Sequence, residues 1–176
     1  DVAAASWYDV VNLDQSRAYT IDGRQAALCG IEEPFRTDIM RYFDEASSVQ
    51  ADDAAILTPN AKELLGVAVG DSLVLDTPAG SYTFRVTGFR SDDSRYANNN
   101  GSGETTALLV DEDQVGVFMN ISAFRRIMQD NGDTGSASYY VQFGSHANMK
   151  KAIAEIKEQC GLADADVQQN FILMGL

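Results

Sequence analysis

Histidine occurs once in this 176-residue chain, at His146, and cysteine twice, at Cys29 and Cys160. That scarcity narrows the metal and nucleophile chemistry open to histidine and cysteine before any pattern is read. A Cys–His site needs the two side chains within hydrogen-bond reach, yet His146 opens a predicted final helix and Cys160 lies about four turns further along it. Neither cysteine belongs to a C-x-x-C pair, which argues against a zinc knuckle or a thioredoxin-type redox site. Cys160 reads most simply as a small buried hydrophobe on a helix stripe, and His146 as an exposed first-turn residue. Long hydrophobic runs are also missing: none approaches the ~20 residues that span a bilayer. No basic-then-apolar leader opens the chain. Basic residues number 13 against 26 acidic ones, a net charge of -13. Such a surface repels phosphate backbones and anionic headgroups, which argues against nucleic acid and against a polybasic lipid grip.

What is present is an ordinary globular composition, 45% hydrophobic and 22% charged, enough for one domain or two small subdomains on one core. "ASWYDVVNL" reads as a strand. "AYTIDGRQAALCGIE" reads as a hairpin, because Asp22-Gly23 between apolar runs suits a two-residue turn. "PFRTDIMRYFDEA" carries Phe35, Ile39, Tyr42 and Phe43 at helical spacing, and "SSVQADD" ends it.

"AAILT" predicts a short strand. Thr58 is expected as an N-cap with Pro59 at the first helical position, and Ala61, Leu64 and Leu65 as the apolar side of a short helix. Gly66 suits a left-handed helix stop. "SLVLDT" and "SYTFRVTGF" alternate as strands about the turn "PAG", with Leu73, Leu75, Phe84 and Val86 inward. "RSDDSRYANNNGSGE" is a polar loop with little to bury, and "TTALLVD" resumes a strand. "VFMNISAFRRIMQDNG" predicts a strand end and a helix capped by Ser122, with Phe124, Ile127 and Met128 apolar and Gly132 near its close.

"ASYYVQF" is a further strand. "SHANMKKAIAEIKEQCG" is a helix from Ser145 to Gly161 with Met149, Ile153, Ile156 and Cys160 on one stripe. "ADVQQNFILMGL" predicts a returning strand. Mixed strands, helices and hairpins favour an α+β fold over a doubly wound parallel sheet. The abrupt "DVAAASWYDVV" start and the apolar "NFILMGL" end suggest an excised piece.

"GVAVGD" invites a phosphate reading and fails it. It lacks the lysine–serine ending of a P-loop and follows a helix rather than preceding one. As a turn it is well made: Gly66 stops the helix, Gly70 aims the chain into the next strand, and Asp71 is expected to accept backbone hydrogen bonds. The acidic stretches "SDDSRYANNNGSGE" and "VDEDQ" lack the alternating D-x-D-x-D-G pattern and closing glutamate of an EF-hand. No carboxylate pair is marked as held in an apolar pocket with separated pKa values. No cofactor, metal or catalytic residue is therefore expected.

"AILTPNAKELLGVAVGDSLVLDTPAGSYTFRVTGF" resembles the strand, the "A-x-x-L-G-V-x-V-G-D" helix-turn and the "V-x-L" and "F-x-V-x-G" strands of extracytoplasmic domains in FtsX/MacB-like ABC transporter permeases. Thr58, Pro59, Gly66, Gly70, Asp71 and Gly88 carry this signature. "ALLVDEDQ" with "ISAFRRIM", and "YYVQFGSHANMKKAIAEIKEQCG", look like the family's later strands and helices, while "NFILMGL" falls where such a chain re-enters the membrane. The resemblance covers roughly residues 28 to 176. It departs from the family at the start, where no clear helix separates "WYDVVNL" from "AYTIDG".

The resemblance implies a MacB-periplasmic-core-like fold: an α+β core from both chain ends, about residues 1–53 plus 136–176, with a small α/β-rich subdomain inserted at about 54–135. It implies a non-catalytic domain on the extracytoplasmic side of the cell membrane, between transmembrane segments. Through the full-length permease it would work with a cytoplasmic ABC ATPase and a second permease copy or half, and with peptide or lipoprotein cargo. The work implied is export, lipoprotein release or antimicrobial-peptide resistance. If the chain ends share one core in an oxidising compartment, a Cys29–Cys160 disulfide is allowed; two buried free thiols are equally ordinary. The rivals are a free-standing secreted ligand-binding domain and an extracellular hydrolase.

Overall fold

The computed structural model describes residues 6–12, 18–33, 47–90, 110–133, 136–142 and 149–166. Eight strands are described: β1 (Ser6–Asn12), β2 (Thr20–Ile21), β3 (Arg24–Ile31), β4 (Ala54–Leu57), β5 (Ser72–Thr77), β6 (Gly80–Phe89), β7 (Val115–Asn120) and β8 (Ser136–Gln142). The helices are α1 (Ala61–Leu65), α2 (Ile121–Asn131) and α3 (Met149–Cys160). The strands run in the order β2-β5-β6-β4-β7-β3-β1-β8. β3 pairs with β7 in parallel, as β4 does with β6, while the other pairs are antiparallel. The sheet is mixed and the fold is α+β, as the element pattern implied.

β2 joins two strands at once. It pairs with β3 through Thr20↔Gln25 and Ile21↔Arg24, and with β5 through Thr20↔Asp76. The six strands β3-β2-β5-β6-β4-β7 therefore close on themselves, and such closure leaves few sheet edges open. Strand alternation fills the ring. Ala26, Leu28, Ala55, Leu57, Leu73, Leu75, Phe84, Val86, Val115, Val117 and Met119 are all buried in one cluster with Tyr19 and Ile21. The hairpin expected at Asp22-Gly23 is present, with φ of 49° and 73° at the two turn residues, as a primed two-residue turn requires. The ring draws strands from both sides of residue 54: β2 and β3 before it, β4 to β7 after it.

A second apolar layer lies on the opposite strand faces. Ala27, Cys29, Ile31, Ile56 and Phe118 alternate with the ring-filling residues and are at most 1% exposed. Arg90 sits over the Phe118 ring, 5.7 Å from its centroid. Burial on both faces explains why β3 and β7 read as continuous apolar runs rather than as alternating ones.

α2 stops the ring at the end where β3 and β7 finish. Ile121, Ala123, Phe124, Ile127 and Met128 are buried in the ring cluster. Phe124 packs on Gly30, where an added Cβ would lie 2.6 Å from the Phe124 Cβ. The helix does not begin with Ser122 as its cap. Asn120 is the N-cap, its side-chain oxygen accepting from the Ser122 N–H at 2.8 Å. Either residue type can cap, and the strand simply ends two residues earlier than apolar patterning indicates. Gly132 closes α2 at φ 67°, and the Asp133 N–H reaches back to the Met128 carbonyl. On either side of that stop, the Tyr82 and Tyr19 hydroxyls donate to Asp130 and Asp133 at 2.6 Å each, and the Ala79 N–H donates to Asn131. The β5–β6 turn and the end of α2 are thus latched together.

The expected stripe on α3 needs correction. Cys160 is exposed, Ile153 and Ile156 are half-buried, and Ala152 is the buried residue at 6%. Lys157 pairs with Asp164 and Lys151 with Glu155 along its surface. The predicted helix over "PFRTDIMRYFDEA", the polar loop, the start of "TTALLVD", Ser145, His146 and the final strand lie outside the described residues.

Candidate functional site

The segment from Thr58 to Asp71 carries the sequence signature, and the structure shows what each of its residues does. Thr58 is not a helix cap. α1 begins at Ala61 after Asn60, which makes no side-chain cap bond, and the Thr58 carbonyl accepts from the Ala61 N–H. That carbonyl would otherwise have continued the β4–β7 ladder. The Thr58 Oγ1 replaces it, accepting from the Gly116 N–H at 2.9 Å, while the Thr58 N–H donates to the Gly116 carbonyl at 3.0 Å. The side chain extends the ladder by one rung while the backbone turns away into the helix. Pro59 stands two residues ahead of α1, its carbonyl accepting from Lys62. Asn60 reaches sideways, its amide donating to the Gln114 carbonyl at 2.7 Å.

Gly66 ends α1 with φ 65° and donates to the Lys62 carbonyl. A four-residue turn follows: the Asp71 N–H donates to the Ala68 carbonyl, with Gly70 at φ 97° in the third position, as a type II turn requires. The Asp71 carboxylate accepts from the Ala68 N–H at 2.8 Å, the backbone bond expected of it. Gly70 N–H donates to the Val86 carbonyl and Val86 N–H donates to the Asp71 carbonyl, so two residues face one. That is a glycine-first β-bulge, and it sets the register of the β5–β6 hairpin.

Gly88 has a different reason for being glycine. An added Cβ would lie 2.6 Å from the Ser47 Cβ. The chain at Ser47–Val49 runs across β6 here, where the register against β4 shifts between Ala55 and Ile56. Thr87 ties that crossing down, donating to the Ser48 carbonyl at 2.6 Å. The signature residues thus sit on one continuous stretch of the ring wall.

Cys29 and Cys160 are both free thiols, the first buried and the second exposed. The disulfide allowed from sequence is not formed: Cys29 lies in the outer apolar layer of β3, and Cys160 projects to solvent from the last turn of α3. Burial pushes the Cys29 thiol up to about 12, with Arg90 opposing. Tyr82 is also raised to about 12, first by burial and then by its bond to Asp130. Both groups are raised above their unfolded values, so their contribution is fully present below pH 9.0 and is lost as pH rises through about 12. The Cys29 contribution is expected to be constant below the unfolded thiol value, and above it unfolding free energy should fall by about 1.4 kcal/mol per pH unit from Cys29 alone. Denaturant titrations across the alkaline range check this. In Cys29→Ala the decline should begin one unit later, where tyrosine starts to ionise. An unchanged onset would mean that the thiol is not buried in the folded chain.

Among the described residues no three of His, Cys, Asp and Glu lie close enough to hold a metal ion together. No described helix is long and apolar enough to cross a membrane. Three large hydrophobic side chains stand out as exposed: Val69 at 63%, Val74 at 45% and Leu162 at 38%. Two of the three flank the bulge. Sequence reading missed Gly30, Asn120 and Thr87 as structural residues. An isolated glycine inside an apolar strand was the available signal for Gly30, since it marks a close approach.

The family model described as MacB-like periplasmic core domain matches residues 2–159. Among solved structures, the chain is similar to the periplasmic region of MacB from Actinobacillus actinomycetemcomitans, with TM-score 0.54 and 15% identity, covering 86% of this chain and 64% of that one. It is also similar to a domain assigned to a permease protein from Porphyromonas gingivalis, with TM-score 0.51 and 11% identity, covering 88% of this chain and 63% of that one. The chain thus spans somewhat less than two thirds of each solved relative. No curated protein matches it.

Proposed function

Because the chain belongs to the family of MacB-like periplasmic core domains, extracytoplasmic parts of ABC transporter permeases, we propose that it is the non-catalytic outer domain through which such a permease turns ATP-driven motion into protein contacts outside the membrane. The family match over residues 2–159 carries this reading. The architecture is consistent with it: a closed ring, stopped by α2 and latched by two Tyr–Asp bonds, moves as one body and transmits displacement with little internal loss.

In this reading the parent permease works with a cytoplasmic ATPase and a second permease copy or half, and its tasks are export, lipoprotein release or antimicrobial-peptide resistance. The two-part organisation belongs to the same proposal. The stretch of about 54–135 supplies β4 to β7, α1 and α2, and the stretch of about 1–53 plus 136–176 supplies β1 to β3, β8 and α3.

The test is a reconstituted full-length permease with its ATPase, compared with a version in which this domain is replaced by a short linker. Expected is ATP hydrolysis that persists while cargo movement or peptide protection is lost. Unimpaired transport without the domain would sink the proposal, as would a parent gene that encodes no flanking membrane spans.

A further inference from the structure

We propose that Asn131–Gly132, at the joint between α2 and the β5–β6 turn, is a deamidation site that the latch keeps closed, and that its conversion loosens the latch irreversibly. Asparagine followed by glycine is the pair in which the next backbone nitrogen most readily reaches the side-chain amide, because glycine has no Cβ to hinder the approach. The chain has two such pairs, Asn100–Gly101 and Asn131–Gly132. Gly132 is exposed, so water reaches the second. In the reaction the Gly132 nitrogen gives up its proton and attacks the Asn131 Cγ. The new C–N bond closes a succinimide, the bond from Cγ to Nδ2 breaks, and ammonia leaves with that proton. Water then opens the ring to aspartate or isoaspartate. Nothing is oxidised or reduced, and water is the sole co-reactant.

Every group that must move is held. The Gly132 N–H donates to the Gln129 and Met128 carbonyls at the helix stop. The Asn131 Oδ1 accepts from the Ala79 N–H at 2.9 Å, and its Nδ2 donates to the Ile127 carbonyl at 2.9 Å, so both ends of the amide are clamped. Asn131 is also the last residue of α2, and helical backbone points the following N–H back toward the helix carbonyls rather than at the side chain. Attack therefore requires the last turn to unwind, which breaks the Tyr82–Asp130 bond of the same turn. The product does not fit back. An aspartate oxygen in place of Nδ2 faces the Ile127 carbonyl, acceptor against acceptor. It also sets a third carboxylate between Asp130 and Asp133, at the negative end of a helix. Isoaspartate is worse, since its extra backbone methylene displaces the left-handed stop at Gly132 and the bond from the Asp133 N–H to the Met128 carbonyl. Either product weakens the hold of α2 on the β5–β6 turn.

The full chain is held at physiological pH and temperature, and asparagine, aspartate and isoaspartate at position 131 are resolved over time by peptide mapping with mass spectrometry. Asn100–Gly101, followed in the same digests, is the reference for solution conditions. Conversion at Asn131 is expected to be about tenfold or more slower in the folded chain than in denaturant, the opening of the helix end setting the factor. Tyr82→Phe should speed it about threefold or more relative to Asn100, the factor one typical hydrogen bond supplies. The converted chain, separated by its charge, should melt at a lower temperature than the parent. Asn131→Asp should do the same, an arm that does not depend on isolating the product. Equal rates in the folded and unfolded chains overturn the proposal, as does a Tyr82→Phe rate that matches the parent. A converted chain and an Asn131→Asp chain that both melt with the parent would mean modification without loosening, and overturn it likewise.

Discussion

Phe124→Ala is expected to lower the free energy of unfolding by about 3–5 kcal/mol, the largest effect of any single truncation in α2. The Phe124 benzyl group packs on the bare Cα of Gly30 with no exposure to solvent, inside the cluster that fills the strand ring. Truncation leaves a cavity that β3 is poorly able to collapse into, since β3 is held by β7 on one edge and by β2 and β1 on the other. The converse change is also costly. Gly30→Ala puts a methyl 2.6 Å from the Phe124 Cβ and 3.3 Å from the Ile121 Cα, so the helix must shift outward, at about 1–3 kcal/mol. The two changes share one space and should not add. In the Phe124→Ala background the 2.8 Å contact with Cγ is gone while the 2.6 Å contact with the Cβ, which alanine keeps, remains; the emptied space lets α2 give way, so Gly30→Ala should cost less than in the parent. Equilibrium denaturation of the four chains in this cycle tests the arrangement. Strict additivity would mean that α2 does not pack on Gly30.

Thr58→Val should cost about 1–3 kcal/mol, because it keeps the shape and strands the buried Gly116 N–H without an acceptor. Thr58→Ser should retain most of the stability. The decisive variant is Thr58→Asp. At a helix N-cap, aspartate is among the best residues. At this position, 1% exposed and bonded across strands, it places a carboxylate in the ring wall beside the Gly116 carbonyl and should be the worst of the three. An aspartate variant as stable as the parent would restore the capping role and remove the ladder role.

The contrast at Thr58 shows where the sequence was readable. Threonine followed by proline before "NAKELL" carries the local chemistry of a helix start, and local chemistry is what patterns record. The competing partner, Gly116, is 58 residues away and belongs to a strand that only the folded ring brings alongside. Gly66, Gly70, Asp71 and the Asp22-Gly23 turn were legible because their reasons are local: a left-handed stop, a positive φ, an acceptor within three residues.

The alternation in β5 and β6 was legible for the same kind of reason, since Leu73, Leu75, Phe84 and Val86 declare one face within each strand. Closure of the ring was not. It rests on a two-residue strand whose pairing with Asp76 leaves no periodic trace in the sequence. The stripe drawn through Cys160 failed differently. α3 stays helical through Cys160, but the period-based line continued past the part of it that is covered.

The β1–β8 ribbon gives the ring a handle. The two strands pair along their whole length, Ser6↔Gln142 to Asn12↔Ser136, while β1 pairs in register with β3 at Val11↔Gly30 and Asn12↔Cys29. Five residues of β1 lie beyond those two pairs, so the joint to β3 is the pivot of a paired ribbon that also lies against α2. The pivot includes Gly30, the residue on which Phe124 rests. In mechanical terms the fulcrum and the seat of the plug are one residue: a bulky side chain at position 30 would disturb the ribbon's joint and the packing of α2 together.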